Sequence, residues 1–325
     1  MKRKHPVVLS VCFALLVGSL VSAKQEPRTI NLSKRALNAA PLYGPEGIVI
    51  AADGSVYAGN HDGKIKRILS TGAIEPFADL NNLPGQRQEK IAAIGLAMDG
   101  EGDIYAATYD FNGGSVLKVT GPGKPDAGKV VLFRHGIGLA NFVLIDKETK
   151  TMYVSDSSMF SGRVFRFNMK DETLVGKAAD PQRDVLAEFS YANGLALGPE
   201  KEWLYVAETT KGRISKLYLK TGKSHVFAEV GGWADGLAFD PKNQLLYVCD
   251  NKGGRILALN TAAEIVGETR LIGKEGQCAP ASLVFRDENT IIFTDLWKAS
   301  TWAALLRRPQ YHSYVYQLSV KEVLK

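Results

Sequence analysis

The chain has 325 residues, 45% of them hydrophobic, with 40 Lys plus Arg against 34 Asp plus Glu and a net charge of +6. That balance excludes a disordered or collagen-like chain, and three cysteines are too few for a disulfide scaffold. No run of five or more basic residues exists, so nothing asks for nucleic acid as a partner.

Residues 1–23 start with Lys2, Arg3 and Lys4, continue apolar from Val7 to Val21, and end on Val21-Ser22-Ala23. Basic, then apolar, then small is the order of a secretory signal peptide. The apolar run falls short of the roughly 20 residues that a membrane span needs. The sequence therefore predicts a leader over 1–23 and a mature chain over 24–325, periplasmic or secreted, with no membrane span after cleavage. Losing the leader lowers the charge from +6 to +3. In that compartment a disulfide between Cys249 and Cys278 is the expectation, and separate burial of the two thiols is the alternative.

From residue 45 onward one pattern recurs six times. PEGIVIAADGSVYAG begins at Pro45, AIGLAMDGEGDIYAA at Ala93, ANFVLIDKETKTMYVSD at Ala140, ANGLALGPEKEWLYVAE at Ala192, ADGLAFDPKNQLLYVCD at Ala234 and PASLVFRDENTIIFTD at Pro280. The mean period is 47 residues, within the range of propeller blades. Each unit reads as an apolar strand, a turn rich in Asp, Gly, Pro or Asn, and a second strand with aromatic and β-branched residues. A Gly-containing loop and a third strand follow, as in GRVFRFN from Gly162 and GRISKLYL from Gly212, and a more variable fourth strand closes the unit. The fold class is all-β: one six-bladed β-propeller of four-stranded antiparallel blades, occupying residues 24–325. Arg28 to Leu32 are expected to donate the missing outer strand of the last blade.

Equivalent positions in such units lie at one height around the central axis. The column at the entry to the first strand reads Glu46, Ile94, Asn141, Asn193, Asp235 and Ala281. Four of these bear carboxylate or amide oxygens, and an all-oxygen set with two negative charges suits a hard cation such as Ca²⁺. The column has no His or Cys, which argues against zinc or copper. Side-chain-to-backbone turns are the ordinary use of any one such residue, but four in one register column favour a metal site.

These units resemble the senescence-marker-protein (SMP-30)/gluconolactonase group of propellers and their paraoxonase and strictosidine synthase-like relatives. ANGLALGP with Asn193, LYVAETTKGRISKLYL from Leu204 and ADGLAFD with Asp235 carry the resemblance. It implies a catalytic calcium held by Glu46, Asn141, Asn193 and Asp235, with Asp235 as general base or nucleophile. The first-blade motif departs from the gluconolactonase branch, since Glu46-Gly47 runs into Ile48-Val49, and no counterpart of that branch's sugar-binding arginine is found. The resemblance implies a calcium-dependent lactonase or esterase, extending to phosphotriesters, acting on a small molecule in the channel. The alternative is a non-catalytic, metal-stabilised propeller that binds a ligand or protein on its top face; a metal-free strictosidine synthase-like scaffold ranks third.

Other residues complete the reading. His135, in RHGIGLAN, leads into Asn141 and is the candidate general acid or base; His61 and His312 lie in loops expected on the same face. Asp156, Glu208, Asp250 and Asp295, which close second strands, are expected to brace blades or cap loops. Asp53, Asp99, Asp146 and Asp240 are expected to form turns at the opposite end. An insertion from Leu296 to Ser313, with Trp297, Trp302, Arg307, Arg308, Tyr311 and His312, is expected to overhang the metal face as a lid or a contact. No Gly-x-Ser-x-Gly elbow supports a serine hydrolase.

Overall fold

The structure, a computed structural model, describes residues 27–83, 91–110, 113–296 and 312–324. The six repeats become six antiparallel sheets arranged as a six-bladed propeller. Blades 1 to 6 span residues 45–79, 92–135, 140–189, 192–229, 234–273 and 280–319. Their innermost strands are Pro45–Ile50, Ala92–Met98, Ala140–Asp146, Ala192–Leu197, Ala234–Asp240 and Pro280–Asp287. Each contacts the next, and the last packs on the first, which closes the ring.

Blade stacking explains why second strands such as Trp203–Glu208 and Leu245–Asp250 are almost wholly apolar instead of alternating. Both faces of a blade are covered by its neighbours, so both faces of the strand are buried. The core accordingly divides into six clusters, one at each blade interface, with Tyr57, Tyr105, Tyr153, Tyr205 and Tyr247 recurring in five of them. At the turn end, Asp53, Asp99, Asp146 and Asp240 each accept a hydrogen bond from a backbone N–H within the next four residues.

Closure differs from expectation. Arg28–Asn31 pairs in parallel with the outer strand of blade 5, Ile265–Gly273, and not with blade 6. Ile30 and Leu32 drop into the cluster between blades 5 and 6, and that burial decides the docking. Residues 35–38 then run along Val315–Ser319 of blade 6, where Ala36 bridges Tyr316 and Leu37 N–H donates to Val315 O. Asn38 Oδ1 accepts from Val315 N at 2.8 Å. The outer edge of blade 6 is thus covered by residues 35–38, a few residues later in the chain than the sequence pattern indicates.

Cys249 and Cys278 are also a correction. Both thiols are free and fully buried in the cluster between blades 5 and 6, packed as small apolar groups. Burial, joined by nearby carboxylates, pushes both thiols up. The leader over residues 1–23 and the insertion residues 297–311 lie outside the described residues.

Candidate functional site at the channel mouth

All six inner strands share one irregularity. Pairing with the second strand slips right after the first paired residue, or after the second in blade 2, for example between Ala192 and Leu195 and between Ala93 and Leu96. A bulge of this kind re-aims a side chain and tightens the twist. The residues inside the six slips begin with Glu46, Ile94, Asn141, Asn193, Asp235 and Ala281, so the sequence column sits within the inner strands and not ahead of them. Four of these six are followed by glycine. A Cβ at Gly194 would lie 2.1 Å from Asp235 O, and one at Gly236 would lie 2.3 Å from Ala281 O. Backbones of neighbouring inner strands touch there, and only glycine permits it.

The polar column is nearly closed to solvent: Glu46 is 8% exposed, Asn141 7%, Asn193 4% and Asp235 7%. Burial first, and then the charge of Glu46, push the Asp235 carboxyl well above its ordinary range, with hydrogen bonds from Asn193 and Asn251 pulling it partly back. No Arg or Lys is paired with either carboxylate among the described residues. Tyr191 stands beside the same pair. Its phenol is pushed up to about 12 by burial and by the charges of Glu46 and Asp235, and its backbone is held at φ 55°. Strained backbone of this kind gathers at functional sites.

His61, placed by the sequence only in a loop on this face, touches the column directly. Its Nε2 lies 2.5 Å from Glu46 Oε2. His135 does not approach. It ends the outer strand of blade 2, exposed, paired with Ser115 on one side and Ala178 on the other. With strands about 4.8 Å apart, three strands separate it from the channel by roughly 14 Å. Strand order within the blade puts it there, and the insertion of blade 3 reaches back so that Lys177–Ala178 covers this edge, anchored by the buried Arg134 bonding Leu174 O and Asp184.

A second ring, missed in the sequence, lies one residue beyond the acid-bearing column of second strands: His61, Tyr109, Ser157, Thr209, Asn251 and Leu296. Ser157 Oγ donates to Ala192 O at 2.6 Å, Thr209 Oγ1 to Ala234 O at 2.6 Å and Asn251 Nδ2 to Ala279 O at 3.3 Å. Each bond crosses to the next blade, at or just ahead of the start of its inner strand. Shifting the repeat alignment by one residue would have exposed this column.

Fit to a cation rests on one atom. Asn193 Oδ1 is buried with no hydrogen-bond partner. An orphaned acceptor beside two carboxylates suits an oxygen-seeking cation. Glu46, Asn193, Asp235 and, on the same column, Asn141 are the residues that would hold it. Among the described residues no three His, Cys, Asp or Glu side chains gather at one point, so amide oxygens must complete any such set. Below the mouth the channel turns apolar, a cavity of about 370 Å³ lined by inner-strand side chains such as Ile48, Leu96, Val143, Leu195, Leu237 and Leu283.

Residues 177–296 match the SMP-30/gluconolactonase/LRE-like region, and residues 34–68 match the strictosidine synthase-like N-terminal region. Among relatives, the adipocyte plasma membrane-associated protein Hemomucin of Drosophila melanogaster is 28% identical, over 58% of this chain and 35% of its own length. Protein STRICTOSIDINE SYNTHASE-LIKE 10 of Arabidopsis thaliana is 27% identical, over 69% of this chain and 68% of its own. The chain thus spans well under two thirds of the first of these. A calcium-binding protein, regucalcin, from Agrobacterium tumefaciens shares the fold at TM-score 0.64 and 15% identity, covering 90% of this chain and 95% of that one. A gluconolactonase from Xanthomonas campestris does so at TM-score 0.60 and 14% identity, covering 80% and 85%. The chain is therefore a six-bladed propeller similar to the SMP-30/gluconolactonase and strictosidine synthase-like proteins.

Proposed function

We propose that the protein is an exported, calcium-dependent hydrolase that opens a lactone or ester, or a phosphotriester, of a small molecule at the channel mouth. The observation that carries this reading is the buried Glu46–Asp235 pair, with no Arg or Lys paired to it among the described residues, beside the unpartnered Asn193 Oδ1. A bound Ca²⁺ would supply Lewis-acid polarisation of the substrate's carbonyl or phosphoryl oxygen. Asp235 is the candidate proton acceptor or nucleophile. Without calcium, burial beside Glu46 raises its carboxyl; a bound Ca²⁺ would bring it down again and hold it as the carboxylate. Tyr191 and His61 stand beside the carboxylates at the mouth, within reach of a bound substrate. The Lys2–Ala23 segment supports export.

The deciding experiment assays purified protein on lactones, aryl esters and phosphotriesters, with calcium and with chelator. Turnover that chelator abolishes and calcium restores is expected; calcium-indifferent turnover, or none on the whole panel, overturns the reading. A second reading, a metal-stabilised propeller that binds a partner through its top face, is favoured by Met159 and Phe160, which are exposed on a loop of that face. Under it, the thermal midpoint still responds to calcium while the panel stays silent.

A further inference from the structure

We propose that Thr209 is a positioning residue that sets the cation affinity of the mouth by fixing which end of the Asn193 amide faces the channel; this rests on the cation reading above. The argument is one of hydrogen-bond polarity. Thr209 Oγ1 lies 2.6 Å from Ala234 O, a carbonyl that can only accept, so the hydroxyl proton is committed there. The hydroxyl can then only accept from Asn193 Nδ2, 3.1 Å away. That bond turns the amide nitrogen toward Thr209. The amide oxygen faces the other way and is left buried and unpartnered.

The opposite amide orientation would set oxygen against the Thr209 lone pairs, acceptor facing acceptor. Thr209 also ties the backbone next to Asp235 to the side chain of Asn193, so one hydroxyl fixes the spacing of two oxygen donors on adjacent blades. Its own place is secured by the short turn Thr209–Lys211, closed by Gly212 at φ 61°, and by its N–H, which donates to Tyr191 O. Ser157 makes the matching inter-blade bond, to Ala192 O, and bonds instead to no amide of the column. The two hydroxyls therefore separate orientation of a donor from simple bracing of blades.

The test is calorimetric titration of Ca²⁺ into the chelator-treated full chain, which reads binding without any substrate. Thr209→Val, isosteric and without the hydroxyl, should bind at least about tenfold more weakly, the usual scale for losing a group that orients a ligand. Thr209→Ser should bind within about twofold of the parent, and Ser157→Ala should lower the thermal midpoint while keeping most of the affinity. If the parent binds and Thr209→Val binds equally, the positioning role is overturned and the cation reading stands. If the parent takes up no Ca²⁺, both fall. Should Thr209→Val not fold, Thr209→Ser decides: a folded serine variant that has lost the affinity assigns the effect to the methyl packing and overturns the proposal.

Discussion

Two rings of acidic side chains lie close together at the same face and behave in opposite ways. In the outer ring Asp156, Glu208 and Asp250 each carry their own counter-charge. Glu208, 1% exposed, accepts from Arg213, Ser215 and the Ser190 N–H. Asp250, fully buried, accepts from Arg255 and from the Trp233 and Gly253 N–H groups, and Asp156 repeats the arrangement with Arg163 and Leu139 N–H. Burial alone would raise the Glu208 carboxyl, but these bonds outweigh it and hold it below its usual range. In the inner ring Asp235 meets only amides and another carboxylate, and its carboxyl rises. A buried acid with a built-in partner is part of the scaffold; one without a partner is waiting for a ligand.

The sharpest way to test that contrast is to neutralise one acid from each ring. Asp235→Asn should lower hydrolase turnover by at least about 100-fold, the range for losing a general base, while raising the calcium-free thermal midpoint. Glu208→Gln should do the reverse, lowering the midpoint and leaving Arg213 short of a partner. An Asp235→Asn variant that is less stable without calcium and fully active would erase the distinction.

Removing the counter-charge comes next in size. Arg213→Ala strands Glu208 in the interior, and urea unfolding should show a loss of about 2–3 kcal/mol, below the full cost of breaking a buried pair because Arg213 keeps some solvent contact. A change under about 0.5 kcal/mol, as for an exposed ion pair, would show that the outer ring is not braced in this way.

Acid titration separates the two kinds of carboxylate by slope. Asp235, whose carboxyl is raised by folding, contributes stability below its unfolded pKa that is lost as pH rises through its folded value. The calcium-free midpoint should therefore fall as pH rises above about 4, and calcium should reverse that fall. A flat calcium-free profile that Asp235→Asn does not alter would refute it. The smallest effect concerns Asp103, an acid of the turn end. Burial raises it, but Lys124, Lys118 and the Gly121 N–H outweigh burial and bring it down to about 2. Its stability is present above the unfolded pKa and is lost as pH falls from about 4 to about 2, so Asp103→Asn should flatten only that acid limb of the melting profile.

The repeat decided a great deal before any fold was seen. Pro45, Ala140, Ala192, Ala234 and Pro280 each open an inner strand, and the Asp and Asn turns and the Gly-Arg third strands lie where their spacing puts them. This works because every blade solves one local problem, a hairpin pair with both faces buried, and solves it with the same residues. For the same reason the column of Glu46, Asn141, Asn193 and Asp235 was legible: equal register means equal height around the axis.

What the repeat could not give is anything that depends on radius, or on contacts between blades. His135 is close to Asn141 in sequence yet ends on an outer strand, because strand order within a blade, not distance along the chain, sets distance from the axis. Arg28–Asn31 chose blade 5 because Ile30 and Leu32 fit its interface, a packing fact invisible in a weakly alternating pentapeptide. Cys249 and Cys278 share one cluster without bridging. The polarity of the site itself emerged only when Thr209 of one blade was seen to reach Ala234 of the next, since a hydroxyl's single proton has a direction only once its acceptor is in place.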